Sequence, residues 1–278
     1  MEKYMASDMA ASVDADEGGD MPPRMQHLFI MRHGDRMDDA EPNWIFTAPR
    51  PWDPPLTDTG KRRARVVGRR LRQEGWNITR VFCSPFLRCI QTASEVITAL
   101  CALDPMDDGP VSQVAIDPSK VKASIEFGLS EVMNSYAIRA PNIPPTGPTT
   151  LELEALEALL PVGTVDPTVT KILTNLPNWR ETLDSSHKRY LDTFQAIADL
   201  FPTENILCVT HGEAIGVSVT HHQNVIVYQV RYCAVSHLQR PVHSLGSPPA
   251  AGPIELLTEP GDESRIRFSK CDAAHGFF

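Results

Sequence analysis

Three polar segments of the chain each follow directly on a short apolar run. In chain order they are Arg32-His33-Gly34 after residues 27–31, Ser84-Pro85 with the nearby Arg88 after residues 80–83, and His211 after residues 205–210. Short apolar runs bounded by turn residues are typical of buried strands. Because ligands bind at the carboxyl ends of strands in parallel sheets, these segments are expected to meet in one site.

The residue types at these strand ends suit the hydrolysis of a phosphate monoester. Forked guanidinium donors match phosphate oxygens, so Arg32 and Arg88 could clamp the phosphoryl group. His33 could attack phosphorus and divide the reaction into two displacements. His211 could donate to an equatorial oxygen as charge develops, and Glu131 is a candidate acid for the leaving oxygen. Each residue alone also fits a structural role, so the prediction depends on their convergence.

The stretches between these segments predict alternating helices and strands. Thr57 is expected to cap a helix with one apolar side and one arginine-rich side, and Gly75 to end it. The arginines favour a solvated face over a surface for nucleic acid or lipid. Further helices are expected over 86–100, 151–160 and 180–201, and strands over 27–31, 80–83, 205–210, 225–230 and 232–235, with a weaker strand over 111–116. This alternation predicts an α/β fold, a three-layer α/β/α sandwich with a largely parallel central sheet.

Composition narrows the class of protein. The 278 residues carry a net charge of −9, with 42% hydrophobic and 22% charged residues, which is typical of a globular protein. The acidic balance argues against a nucleic-acid partner. No apolar stretch approaches the roughly 20 residues that span a bilayer, so no membrane association is expected. Six scattered cysteines without a Cys-x-x-Cys pair favour reduced thiols in the cytoplasm, or in the nucleus.

Four sequence blocks resemble one known family. The first is Phe29-Ile30-Met31-Arg32-His33-Gly34-Asp35-Arg36, and the second is Pro55-Leu56-Thr57-Asp58-Thr59-Gly60. The third is Ser84-Pro85-Phe86-Leu87-Arg88-Cys89-Ile90-Gln91-Thr92-Ala93, and the fourth is Leu207-Cys208-Val209-Thr210-His211-Gly212. In this order they resemble the signatures of the phosphoglycerate-mutase-like histidine phosphatases, over residues 26–235. Within and beside the first and third blocks, the runs Gly34-Asp35-Arg36-Met37-Asp38 and Leu87-Arg88-Cys89 look closest to the suppressor-of-T-cell-receptor-signalling phosphatases.

The resemblance implies a role for each matching residue. His33 falls where the family has its phosphorylated histidine, Arg32 and Arg88 where it has pocket arginines, and His211 where it has the second pocket histidine. Arg36 resembles an extra pocket arginine of the suppressor branch. Glu131 falls where many members keep the proton donor, and Glu126 and Asp35 are its rivals. The mutases continue with Glu-Ser after Arg-His-Gly, whereas this chain has Asp35-Arg36, which argues against mutase activity.

The expected function is therefore phosphatase activity through a phosphohistidine on His33, on a phosphorylated small molecule or a phosphoprotein. The alternative is a catalytically weak phosphate-binding or scaffold protein of the same fold, and less favoured is a mutase. No metal or cofactor is expected, because the proposed chemistry needs none. Residues 1–24 are predicted to be a disordered acidic leader, residues 25–245 the histidine phosphatase domain, and residues 246–278 a C-terminal segment whose order the pattern leaves open.

Overall fold

Nine strands and six helices make up the part of the chain that the computed structural model describes, residues 23–104, 114–140, 143, 146–147, 151–243 and 250–271. The strands are β1 (Arg24–Arg32), β2 (Ile78–Cys83), β3 (Lys122–Ile125), β4 (Asn205–Thr210), β5 (Val225–Val230), β6 (Val235–His243), β7 (Ala250–Ala251), β8 (Glu255–Leu256) and β9 (Ile266–Lys270). The helices are α1 (Met37–Ala40), α2 (Asp58–Gln73), α3 (Leu87–Cys101), α4 (Leu153–Glu157), α5 (Leu183–Leu200) and α6 (Gly212–Thr220), with short 3₁₀ helices at Pro42–Phe46 and Phe127–Leu129.

The central sheet is mainly parallel. Its order is β3-β2-β4-β1-β6-β7, with β8 also paired to β6. Strands β3, β2, β4 and β1 run parallel, and β6 lies antiparallel beside β1. The four parallel strands therefore end at the same edge of the sheet, which confirms the largely parallel arrangement that the sequence predicts. Strands β5 and β9 form a separate antiparallel pair.

Helices cover both faces of the sheet. On β1, Phe29 and Met31 point into a core cluster shared with α2 and α3. Leu28 and Ile30 point to the other face, into a cluster shared with α5 and α6. A strand whose successive side chains are all apolar can bury both faces in this way. The predicted three-layer sandwich is confirmed.

Helix α2 begins as predicted, but its arginines do not form a simple solvated face. The Thr57 hydroxyl accepts a hydrogen bond from the Gly60 backbone N–H, as an N-cap should. Arg63 donates to Asp35. Arg65 is buried and forms an ion pair with Glu95 on α3. The predicted solvated face holds for the exposed Arg62, whereas Arg65 is buried and ties α2 to α3.

The remaining expectations differ in outcome. Residues 232–235 are not a strand, because Cys233 adopts a φ of +56° in a turn and β6 starts at Val235. The expected strand over 111–116 falls partly outside the described residues, and within them Ile116 forms only an isolated bridge to Ala102.

Residues 1–22 of the predicted leader lie outside the described residues, and Arg24 already belongs to β1. In the C-terminal segment, the described part supplies β7, β8 and β9. No described helix is long and apolar enough to cross a membrane.

Candidate active site

His33 follows the last residue of β1 and is buried with a defined ring orientation. Its backbone N–H donates to the Thr210 carbonyl at 3.0 Å. Its Nδ1 lies 2.9 Å from the Gly34 carbonyl oxygen, and since a carbonyl only accepts, Nδ1 must carry the proton. Burial, with help from Arg88 and Arg32, lowers the pKa of His33 well below its usual value. The ring is therefore neutral, with the Nε2 lone pair available as a nucleophile.

The loop after His33 depends on two glycines at a close approach. A Cβ on Gly34 would lie 2.7 Å from the Gly60 carbonyl oxygen, and a Cβ on Gly60 would lie 2.5 Å from the Asp35 carbonyl oxygen. The Gly34 N–H donates to the Thr92 hydroxyl at 3.0 Å. The first block of the sequence is thus held against the start of α2 and against α3, which fixes the position of His33.

Arg32 is the last residue of β1. Its guanidinium carbon lies 4.2 Å from the centre of the Tyr232 ring, and its Nη1 donates to the Val230 carbonyl at 2.5 Å. Its Nε is buried and has no hydrogen-bond partner among the described residues. Gly212 lies beside it, and a Cβ there would be 3.5 Å from that Nε, in ordinary van der Waals contact. Arg32 is therefore held on one side and left with an unused donor.

Arg88 lies in the first turn of α3 and is almost wholly buried. Its Nη2 donates to Glu131 Oε2 at 3.3 Å, and its Nη1 lies 3.7 Å from Asp53 Oδ1. Its Nε and Nη1 have no hydrogen-bond partner within the described part of the chain. Buried polar groups in proteins are nearly always paired, so two unpaired donors on one buried cation indicate the place of an anionic ligand.

His211 follows β4 and contacts both other strand ends. Its Nε2 lies 2.8 Å from the Ser84 hydroxyl oxygen, and its Nδ1 lies 3.2 Å from Glu131 Oε2 and 3.2 Å from Arg88 Nη2. Its ring centre is 5.4 Å from that of His33. Burial lowers the pKa of His211 to about 4, although Glu131 acts in the opposite direction. The ring is neutral near neutral pH.

Glu131 is buried between these donors. Burial alone would raise its pKa, but His211 and Arg88 outweigh burial and hold the pKa of the carboxyl well below its usual range. Since His211 is neutral above about pH 4, the Arg88 guanidinium is the cation that keeps the carboxylate ionised near neutral pH. A general acid at this place would need a raised pKa to be protonated near neutral pH. In the free protein the pKa is lowered instead.

The two rival carboxylates serve other purposes. The Glu126 carboxylate accepts hydrogen bonds from the backbone N–H groups of Gly128, Ile172 and Leu173. The Asp35 carboxylate accepts from both Nε and Nη2 of Arg63 on α2. Neither carboxylate lines the cavity described next.

A cavity of about 640 Å³ opens above these groups. Arg32, Arg36 and Glu131 line its inner part. Arg36 Nε donates to Asp38 at 2.9 Å, so this arginine reaches the cavity with its charge partly compensated. The remaining lining residues are Asp38, Asp39, Pro42, Ile45, Val132, Asn134, Tyr136, Ala137, Arg139, Leu183, Gly212 and Glu213. The structure brings together all six residues that the sequence marks as a site. Arg32, Arg36 and Glu131 line the cavity, Arg88 and His211 contact Glu131, and the His33 ring lies 5.4 Å from that of His211.

Two residues of the site and one contact of a third escape sequence reasoning. Asp53 is buried beside Arg88 and accepts a hydrogen bond from the Leu87 N–H. Tyr232 lies against Arg32 and donates to Asp39. Ser84 stands at a strand end of the predicted site, but its contact with His211 escapes sequence reasoning. Asp53 and Tyr232 lie in an irregular loop and a turn, where no periodic pattern marks them. Among the described residues no three His, Cys, Asp or Glu side chains are grouped to hold a metal ion.

Comparison with known proteins agrees with this geometry. The family model of the histidine phosphatase superfamily, branch 1, matches residues 28–106. The ecdysteroid-phosphate phosphatase of Drosophila melanogaster is 24% identical over 249 residues, covering 77% of this chain and 30% of the relative. Ubiquitin-associated and SH3 domain-containing protein B of Homo sapiens is 33% identical over 105 residues, 28% of this chain and 16% of the relative. The chain thus spans less than a third of the length of these relatives.

A solved structure shares the fold. The ecdysone phosphate phosphatase from Bombix mori, determined in complex with tungstate, is 22% identical, with a TM-score of 0.58 over 91% of this chain and 97% of the other. The relatives include the suppressor-of-T-cell-receptor-signalling proteins, to which the first and third blocks pointed, and the ecdysteroid-phosphate phosphatases as well. The chain belongs to the histidine phosphatase superfamily and has its phosphoglycerate-mutase-like fold.

Proposed function

We propose that this protein hydrolyses phosphate monoesters through a phosphohistidine on His33. The observation that carries the proposal is the set of three buried guanidinium nitrogens without a hydrogen-bond partner among the described residues, Arg32 Nε with Arg88 Nε and Nη1, in the same site as a neutral histidine. A tetrahedral dianion satisfies such donors, and the attack of His33 Nε2 on its phosphorus breaks the ester P–O bond. In the second step, water attacks the phosphohistidine and the P–N bond breaks.

Glu131 is proposed to move the proton in both steps. It gives a proton to the leaving oxygen, and then takes one from the attacking water. Because the free carboxylate is ionised, the proton must arrive with the substrate. A phosphate monoester has a second pKa near 6, so its monoanion carries one. Once the phosphoryl oxygens occupy Arg88 and His211, the contacts that hold the pKa of Glu131 down are lost and the carboxylate takes up that proton.

The mouth of the cavity favours an ester whose alcohol part is apolar. Tyr136 and Leu183 line it and are 85% and 54% exposed, with Ile45 beside them. Beyond the Arg36–Asp38 ion pair, Asp39 and Glu213 line the mouth together with Arg139, and this acidic balance disfavours an additional phosphate on the substrate. An ecdysteroid phosphate, the substrate in the name of the Drosophila relative, has this character, whereas a nucleoside triphosphate does not.

Trapping the phosphoenzyme tests the function. The purified chain, quenched in base during turnover of p-nitrophenyl phosphate, is expected to yield a peptide with phosphate on His33. His33→Ala should abolish both the adduct and turnover, and His222→Ala, a change at a partly exposed histidine, should preserve them. Phosphate binding without turnover on any ester would instead support the scaffold alternative.

Comparing turnover of an apolar aryl phosphate with turnover of ATP then tests the substrate class. A preference for ATP would refute the proposed apolar ester.

A further inference from the structure

We propose that Ser84 is a positioning residue that holds His211 as the tautomer with its proton on Nδ1. This inference deepens the proposed function and rests on it for its catalytic meaning, while its structural part can be tested without turnover. In the proposed arrangement the Ser84 hydroxyl donates to Nε2, and the Nδ1–H points to the place of the phosphoryl group.

Ser84 is held where its hydroxyl must meet His211. It follows the last residue of β2, and its backbone N–H donates to the Val209 carbonyl of β4 at 2.9 Å. Its side chain is fully buried, and its Oγ lies 2.8 Å from His211 Nε2. Pro85 ends the strand at this point, so neither partner can move away without a change in the sheet edge.

The surroundings decide the direction of this hydrogen bond. The Phe86 backbone N–H approaches Ser84 Oγ at 3.5 Å, so the oxygen already has a donor beside it. Cys89 Sγ, which is 3.6 Å from His211 Nε2, is only a weak acceptor. If Nε2 were protonated, the Ser84 hydroxyl hydrogen would be left with no better acceptor than that sulfur among the described residues. A buried donor without an acceptor is strongly disfavoured, so the hydroxyl donates to Nε2.

On the opposite side of the ring, two groups compete for His211 Nδ1. The Glu131 carboxylate, at 3.2 Å, accepts, whereas Arg88 Nη2, also at 3.2 Å, only donates. Arg88 Nη2 already has Glu131 Oε2 as an acceptor at 3.3 Å and does not need a lone pair on Nδ1, whereas such a lone pair would repel the carboxylate. With the proton on Nδ1, His211 donates to Glu131 in the free enzyme. When a phosphate dianion takes this place, the same N–H donates to a phosphoryl oxygen. The other tautomer would present a lone pair to the dianion and oppose binding.

Imidazole NMR tests the tautomer directly. Two-bond ¹H–¹⁵N correlation spectra of the ¹⁵N-histidine-labelled chain, with His211 assigned by His211→Asn, are expected to show a protonated Nδ1 and an unprotonated Nε2 at pH 7. Ser84→Ala should shift His211 toward the Nε2–H form or a mixture of both. Ser218→Ala, which removes an equally buried hydroxyl bonded to Ser236, should leave the pattern unchanged. A protonated Nε2 in the unmodified chain, or no change in Ser84→Ala, would overturn the proposal.

Kinetics then show whether the tautomer matters for turnover. Loss of one donor to developing charge costs about 100- to 1,000-fold in kcat, and because Ser84→Ala only redistributes tautomers, a loss of about 10- to 100-fold is expected. The kcat of Ser84→Cys, whose thiol is a weaker donor, should lie between that of Ser84→Ala and that of the unmodified chain. Inorganic phosphate, titrated by calorimetry, should bind more weakly to Ser84→Ala. If the chain proves inactive on every ester, the spectra and the phosphate titration still decide the role of Ser84. A kcat of Ser84→Ala equal to that of the unmodified chain would refute a role of Ser84 in turnover.

Discussion

The charge state of Glu131 is the residue-scale feature that most constrains the mechanism. Its carboxylate accepts from Arg88, at 3.3 Å, and contacts His211 Nδ1, at 3.2 Å. It also accepts from the Val132 N–H. These contacts stabilise the ionised form, so the free protein is prepared to receive a proton rather than to give one. In the proposed mechanism, Glu131 therefore becomes an acid only in the substrate complex.

Glu131→Gln should separate esters by their leaving group. An alkoxide leaves only with a proton, whereas p-nitrophenoxide leaves without help. General acid catalysis contributes about 100- to 10,000-fold, so the alkyl phosphate should lose that much in kcat and p-nitrophenyl phosphate far less. Glu126→Gln and Asp35→Asn are the controls and should not show this selectivity. Equal losses on both substrates would remove Glu131 from the role of proton donor.

The pH dependence should follow the substrate rather than His33. Burial keeps the pKa of His33 well below 6.5, so the nucleophile is already neutral at pH 6. Above the second phosphate pKa, near 6, the monoanion that delivers the proton becomes scarce. For an alkyl phosphate, kcat/KM is expected to fall about tenfold per pH unit between pH 7 and 9. A rate that rises over this range would contradict delivery of the proton by the substrate.

Arg88→Ala should weaken both binding and turnover. A charge-assisted hydrogen bond is worth about 1.5–3 kcal/mol, which corresponds to about 10- to 150-fold in kcat/KM. Steady-state kinetics should show a higher KM together with a lower kcat, since the guanidinium contacts the phosphoryl group before and during transfer. Arg62→Ala, an exposed arginine on α2, is the matched control. Unchanged kinetics in Arg88→Ala would exclude it from the pocket.

At the scale of elements, helix α5 holds the loop that carries Glu131. Arg189 Nη1 donates to the Gly128 carbonyl at 2.7 Å and to the Ser130 carbonyl at 3.0 Å. The same guanidinium forms a two-point contact with Glu181. The Tyr190 hydroxyl also donates to the Ser130 carbonyl, at 2.7 Å. The position of the acid is thus set from a helix distant in sequence.

Arg189→Met should misplace Glu131 while leaving the phosphate pocket intact. The stem of the side chain is kept and the donors to the loop are lost. We expect kcat on an alkyl phosphate to fall by up to about 100-fold, with less change on p-nitrophenyl phosphate and an unchanged inhibition constant for inorganic phosphate. Lys188→Met, the exposed neighbour, should behave as the unmodified chain. A double variant with Glu131→Gln should be no slower than Glu131→Gln alone; additive losses would argue for a general structural role.

At the scale of the whole molecule, the site joins the ends of β1, β2 and β4 with the segment that follows β3. Its cations are buried close together at the edge of the sheet, so an anion bound among them should stabilise the folded chain. Inorganic phosphate at 100 times its Kd should add about 2.7 kcal/mol to the free energy of unfolding. Thermal denaturation with phosphate, against sodium chloride at equal ionic strength, measures this. The gain should vanish in a variant with both His33→Ala and Arg88→Ala, and a gain that persists there would point to a general salt effect.

Strands β1, β2 and β4, helices α2, α3 and α5 and the candidate site residues could be predicted from the sequence alone, whereas β3 and α6 are not predicted. Apolar runs buried on both faces define β1, β2 and β4, and the polar residues after them meet because parallel strands end at one edge. Thr57 as an N-cap is a local property of the chain and is also predicted. These features depend on residues that are close in sequence, which is why the pattern shows them.

Tertiary structure decides what lies around those residues. Tyr232 reaches Arg32 only because a turn with a positive φ at Cys233 replaces the expected strand. Asp53 approaches Arg88 from an irregular loop. The ionisation of Glu131 follows from cations and donors brought from other strands, and no local pattern encodes a distance between them. The sequence therefore determines which groups can do the chemistry, and the packing of distant segments determines their protonation and their orientation.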